Sequence, residues 1–154
     1  MPVICYIWRK IQIFYHSDKS ATLKTKHLNI KLVGEVTYGN GLGRTFGFPT
    51  ANLLSSEQIE GVECGVYAAQ ATVDGERHLA VVNIGRSPSV VENGAVRVEA
   101  HLLDFDGDLY GHIIEVELLH FIRSERKFAS QEALREQIRH DCATARDLLT
   151  EHGE

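Results

Sequence analysis

The chain lacks the residues and runs that mark secreted, membrane-spanning or zinc-binding proteins. It has three cysteines, Cys5, Cys64 and Cys142, in 154 residues. Odd in number and far apart, they exclude a disulfide framework and point to a reducing compartment. Its longest early apolar run, Val3 to Trp8, is cut off by Arg9 and Lys10, far short of the roughly 20 residues that cross a bilayer. That run has neither a basic start nor a small-residue cleavage site, so it is not a secretory signal. The eight histidines fall into no HExxH or paired Cys/His spacing, which leaves zinc without a cage. No Gly-Lys-Ser/Thr occurs, so there is no Walker A loop. Net charge is −5, which recommends no polyanion as partner. We therefore expect a cytoplasmic protein with no membrane and no nucleic acid among its partners.

What remains is an ordinary globular composition, 44% hydrophobic and 24% charged, long enough for one core. The charge is uneven. Residues 1–33 carry six bases (Arg9, Lys10, Lys19, Lys24, Lys26, Lys31) against one acid, Asp18, whereas the rest carries ten bases and 20 acids. Only Lys127 is a lysine after residue 33. This break divides the chain into an N-terminal extension at 1–33, disordered or an added edge strand, a domain at 34–150, and a tail at 151–154.

Strand signals dominate the domain. Val96, Val98, Ala100 and Leu102 alternate with Arg97, Glu99 and His101, and Ile114, Val116 and Leu118 alternate with Glu115 and Glu117. Gly65–Val73 and Leu79–Ile84 are apolar runs separated by Asp74-Gly75, a hairpin turn, and Asp106-Gly107 reads as another. Tight turns without intervening helices predict an antiparallel barrel or sandwich. One helix is expected at the C-terminus. Ser130 is its N-cap, and Leu134, Ile138, Cys142, Ala145 and Leu149 form a single apolar stripe. Asp141 falls near that stripe, where a carboxylate needs a partner; Arg123 is the expected one.

Several residues could carry chemistry. Gly39, Gly41, Gly43 and Gly47 precede Pro49-Thr50-Ala51-Asn52. Glycines let backbone N–H groups turn toward an anion, although such a cluster alone can be only a turn. If Pro49–Leu53 is extended, Thr50 and Asn52 share a face and offer two neutral oxygen ligands. Mg²⁺ takes few protein oxygens and completes its shell with phosphate and water. Glu99 lies opposite Val98 and Ala100, beside His101, where a carboxylate could accept a proton from an attacking hydroxyl or simply be solvated. Asp104-Phe105-Asp106-Gly107-Asp108 is not an EF-hand, because Leu109 stands where the loop needs glycine and the flanks are strands. Arg123, Arg126 and Lys127 form a small basic group before the helix.

Taken together, these segments resemble riboflavin kinase. The likeness runs in order through Gly34-Glu35-Val36, Gly43-Arg44, Gly47–Asn52, Gly65-Val66-Tyr67-Ala68 and Asn83-Ile84-Gly85. It continues through Val98-Glu99-Ala100-His101, Asp108-Leu109-Tyr110-Gly111, Ile122-Arg123, Lys127-Phe128 and Asp141. It implies a mainly β fold, a six-stranded antiparallel Greek-key β-barrel with a C-terminal α-helix beside it. It implies transfer of the ATP γ-phosphoryl group to the 5′-hydroxyl of riboflavin, giving FMN and ADP, in a monomer. Thr50 and Asn52 would hold Mg²⁺, with Zn²⁺ or Mn²⁺ as alternatives, and Gly41, Gly43, Arg44 and Gly47 would join them around the nucleotide. Glu99 would be the base; Arg123, with His101, would lie by the flavin.

Two departures from the family pattern touch loops near the ligands. Glu60–Cys64 lacks the proline common before Gly-Val-Tyr, and Ser89 replaces the threonine common after Pro88. They bear on substrate affinity more than on the reaction. Many bacterial relatives carry an adenylyltransferase domain ahead of the kinase; 33 residues are too few for one, so FAD synthesis is not expected. The rival reading is a non-catalytic flavin- or nucleotide-binding barrel derived from the kinase. Thr50, Asn52 and Glu99 together argue against it, since binding alone requires no base.

Overall fold

The computed structural model describes residues 5–7, 12–15, 30–36, 51–55, 62–86 and 96–151. They form eight strands and one helix: β1 (Cys5–Ile7), β2 (Gln12–Tyr15), β3 (Ile30–Glu35), β4 (Ala51–Ser55), β5 (Gly65–Val73), β6 (Glu76–Arg86), β7 (Val96–Leu102), β8 (Ile113–Arg123) and α1 (Gln131–Glu151). All eight strands belong to one sheet, ordered β1-β4-β7-β6-β5-β8-β3-β2. The six strands from β3 to β8 pair antiparallel throughout, and only β1 on β4 is parallel. The expectation of a mainly β, antiparallel fold with a C-terminal helix is met, and residues 5–7 and 12–15 add a short strand at each edge of the sheet. β3 begins at Ile30 and runs through residue 33, where the lysine-rich stretch ends.

The two added strands also show how far the sheet curls. Ile7 ends β1 on one edge and Gln12 begins β2 on the other. Five residue steps reach at most about 18 Å, whereas eight flat strands would stand about 33 Å across at 4.7–4.9 Å each. The sheet must therefore bend into a half-barrel.

Its inner face follows from the period of two. Leu32 on β3, Tyr67, Ala69 and Ala71 on β5, Val82 and Ile84 on β6, Val98 and Ala100 on β7, and Ile114, Val116 and Leu118 on β8 are all buried together. The β5–β6 hairpin turns on Asp74 and Gly75, both at positive φ (49° and 84°), the primed geometry that matches strand twist. Asp106-Gly107 does not make a second tight turn. Residues 103–112 form a longer connection in which Asp104 takes positive φ (54°) and Leu109 drops into the core. Burying Leu109 needs more chain than a two-residue turn provides. The loop is then pinned by Val36, whose N–H donates to His112 O (2.8 Å) and whose carbonyl accepts from Gly111 N–H (2.9 Å).

Helix α1 starts where its cap predicts: Ala133 N–H donates to Ser130 Oγ at 3.1 Å. It covers part of the sheet's second face. Ala145, with Cys142, Leu148 and Leu149, packs on Val66, Ala68, Val81 and Leu103. Two residues of β8, Leu119 and Ile122, are skipped in its pairing with β5. These bulges turn His120 to the helix side and Phe121 to the inner side, where its ring meets Tyr67 edge-on at 5.2 Å.

Candidate active site

The part of the second face that α1 leaves uncovered is polar, and one row of the sheet organises it. Asn52 on β4 is the Cα partner of Glu99 on β7, and Glu99 is the partner of Asn83 on β6. Asn83 in turn pairs with Val66 on β5, and Val66 with Arg123 on β8. Three residues singled out from sequence, Asn52, Glu99 and Arg123, therefore stand in one row across five strands. Adjacent strands lie 4.7–4.9 Å apart, so Arg123 is about 14 Å along the row from Glu99. A ligand touching both must be elongated.

Glu99 is half-buried on the face opposite Val98 and Ala100, which are fully enclosed. Its Oε1 lies 3.4 Å from Nε of Arg97, two residues earlier on the same strand. His101 follows on the same side, paired across to Val81. Gly85 is the partner of Arg97, and a Cβ there would stand 2.5 Å from Oε1 of Glu125, so a side chain would have to push that carboxylate aside. The carboxylate of Glu125 thus lies against the β6 backbone beside the Arg97 position.

At the other end of the row, Arg123 grips Asp141 of α1. Its Nε donates to both carboxylate oxygens (3.0 and 3.1 Å) and Nη2 donates to Oδ2 (2.8 Å). Gln137 adds a third donor to Asp141 at 2.9 Å. Asp141 is 1% exposed, so the expected partnership is present and complete. The Arg123 guanidinium also stands 5.6 Å from the ring centre of Phe128, and that of Arg126 4.8 Å. Arg126 is held in place by Gln137 at 2.6 Å. Lower on the helix, Arg146 makes a two-bonded pair with Asp104 (2.7 and 2.9 Å), and those hydrogen bonds hold the Asp104 carboxyl below its ordinary range.

Gly41, Gly43, Arg44, Gly47 and Thr50 lie outside the described residues, and of Asn52 the backbone register is what is seen. Sequence reasoning gave no role to three residues in or beside this strip: Arg97, Asn83 and Glu125. Arg97 was within reach of the period-two pattern, which puts 97 and 99 on one face. Asn83 carried a weaker signal, a carboxamide inside the apolar run Leu79–Ile84. Glu125 had none, since only the fold brings it to Gly85.

The chain also has likenesses to known proteins. The family described as Flavokinase, riboflavin kinase, matches residues 26–149. A bifunctional riboflavin kinase/FMN adenylyltransferase of Haemophilus influenzae is 42% identical over 118 residues, covering 75% of this chain and 37% of its own. An RNA-binding riboflavin kinase of Bacillus subtilis is 46% identical over 110 residues, 71% of this chain and 47% of its own. The chain thus spans less than half the length of these curated relatives. Among solved structures, one described as a macrolide-efflux protein from Streptococcus pneumoniae has a TM-score of 0.69 at 32% identity, over 77% of this chain and 39% of its own. Riboflavin kinase from Trypanosoma brucei has a TM-score of 0.55 at 27% identity, over 80% of this chain and 81% of its own. With a match over most of its length, the chain belongs to the riboflavin kinase family.

Proposed function

We propose that the chain is an ATP:riboflavin 5′-phosphotransferase, producing FMN and ADP. The observation that carries this is the register of Asn52 with Glu99, which brings an oxygen-ligand position and a half-buried carboxylate onto facing strands. A hydroxyl from Thr50 and a carboxamide oxygen from Asn52 suit Mg²⁺, a hard ion content with few protein ligands. When bound, the ion would neutralise charge on the nucleotide phosphates. The chain's own residues do the rest. Gly41, Gly43, Arg44 and Gly47 enclose the phosphates, and Arg123 and His101 receive the flavin. Glu99 takes the proton of the 5′-hydroxyl as oxygen meets phosphorus. Arg97 Nε, 3.4 Å from Oε1, offers that carboxylate a cation from its own strand. Alignment and charge neutralisation supply most of such a reaction, so no Walker lysine is required.

In this reading β3 to β8 are the six strands of the Greek-key barrel, residues 34–150 hold the catalytic unit, and 1–33 extend it. The enzyme acts as a monomer in the cytoplasm, without nucleic acid. Among the described residues no helix is long and apolar enough to cross a membrane. The deciding experiment incubates the protein with riboflavin, ATP and Mg²⁺ and follows FMN and ADP by chromatography. FMN and ADP in equal amounts are expected. Riboflavin binding without FMN, under varied metal and nucleotide, would replace the kinase with a flavin-binding barrel.

A further inference from the structure

The row through Glu99 contains a buried polar atom that the reaction as described leaves unused. Oδ1 of Asn83 is shut off from solvent and has no hydrogen-bond partner among the described residues. Asn83 is the direct Cα partner of Glu99. Opposed residues of an antiparallel pair share a face with Cβ atoms about 4.5–5.5 Å apart, which puts the two side chains within reach of one hydrogen bond. A buried acceptor without a donor weakens a fold, and an apolar residue of similar shape would serve the strand as well or better. Packing therefore gives no reason for the carboxamide.

Chemistry gives one. A carboxylate only accepts hydrogen bonds, so ionised Glu99 has nothing to offer Oδ1. A protonated Glu99 has one O–H to donate. Its Oε1 already faces Nε of Arg97 at 3.4 Å, which leaves Oε2 to carry the proton. We propose that Asn83 is a positioning residue for the base: its Oδ1 accepts the hydrogen bond of Glu99 once that group has been protonated by the substrate. This inference rests on the kinase reading above. In the step concerned, the O5′–H bond of riboflavin breaks and an O5′–P bond forms. The γ-phosphorus parts from its bridging oxygen, and that electron pair leaves with ADP. The proton passes to Glu99, whose O–H then points at Asn83, and it returns to solvent after FMN departs.

The test is a cycle of Asn83→Leu and Glu99→Gln, with kcat, both KM values and Tm measured for each variant and for the pair. Asn83→Leu is expected to lower kcat on the order of tenfold, the worth of one hydrogen bond. Both KM values should hold, and Tm should stay level or rise. In the Glu99→Gln background the same change should cost less than twofold, since it acts only through the base. Should Leu fit poorly, Asn83→Thr and Asn83→Val form a same-shape pair in which only Thr keeps an acceptor; Thr should be the faster. Full activity in Asn83→Leu, equal losses in both backgrounds, equal rates for Thr and Val, or a loss that tracks a falling Tm would each overturn the proposal. If Glu99→Gln itself is fully active, the base assignment fails instead, which is a separate result.

Discussion

The two faces of the sheet are built on different terms. The inner face holds an apolar cluster drawn from β3 and β5 to β8, and the residues of that cluster are closed off almost completely. The second face is divided. Where Cys142, Ala145, Leu148 and Leu149 of α1 pack it is apolar, but beyond the helix Asn83, Arg97 and Glu99 take the positions that Val82, Val98 and Ala100 fill on the other side. Among the described residues, Asn83 Oδ1 is buried without a hydrogen bond, and Arg97 Nε has its 3.4 Å ion pair with Glu99 but no hydrogen bond. A strand that needed only to fold would not put them there. The inner face maximises burial, whereas the outer strip gives some of it up to polar side chains.

Glu99→Ala gives the largest separation between the faces. Turnover should fall roughly 10²–10⁴-fold, with MgATP binding and Tm kept, as read by steady-state kinetics and calorimetry. Near-normal turnover would mean that the strip is not catalytic.

Asp141→Leu attacks the seam between sheet and helix. Removing one partner of the buried Arg123 pair should destabilise the protein by about 3–5 kcal/mol in urea titrations. Asp141→Asn, which can still accept a hydrogen bond, should lose less. If both variants match the parent, α1 is held by its apolar contacts alone.

Gly65→Ala tests the inner face at its tightest backbone approach. A Cβ at residue 65 would lie 2.5 Å from the Arg123 carbonyl and 2.6 Å from the Phe121 ring. Backbone must move to admit it, at about 1–3 kcal/mol.

The smallest effect is one of pH. Burial pushes the Tyr67 hydroxyl, which donates to the Glu63 carbonyl, up to about 12 from 10.0. The folded state therefore keeps this proton longer than the unfolded chain does. Its contribution is complete below pH 10 and is lost as pH rises to about 12. Tyr67→Phe should flatten that alkaline decline in a Tm-against-pH series, and an unchanged slope would remove Tyr67 as its cause.

How much of this was legible in the sequence depended on whether a residue answers to its neighbours or to distant chain. The alternation in β7, the Asp74-Gly75 turn and the Ser130 cap are local, and the structure has them where expected. The need of Asp141 was legible too, because a carboxylate on an apolar stripe demands a partner, and the structure supplies Arg123 as named. The loop at 103–112 was not, since its course is decided by Leu109 finding the core. Nor was Asn83: nothing near it in the chain says that Glu99 will be its cross-strand partner. The two bulges in β8 likewise carry no local signature, though they decide that Phe121 rather than His120 meets Tyr67.

The short segment that supplies β1 and β2 has a colloidal consequence. A sheet that ends in bare backbone offers its N–H and carbonyl groups as a template to any passing strand. Here residues 5–7 lie along one end, on β4, and residues 12–15 along the other, on β3. Removing them would bare two templates in a single cut, and solubility would suffer before catalysis did.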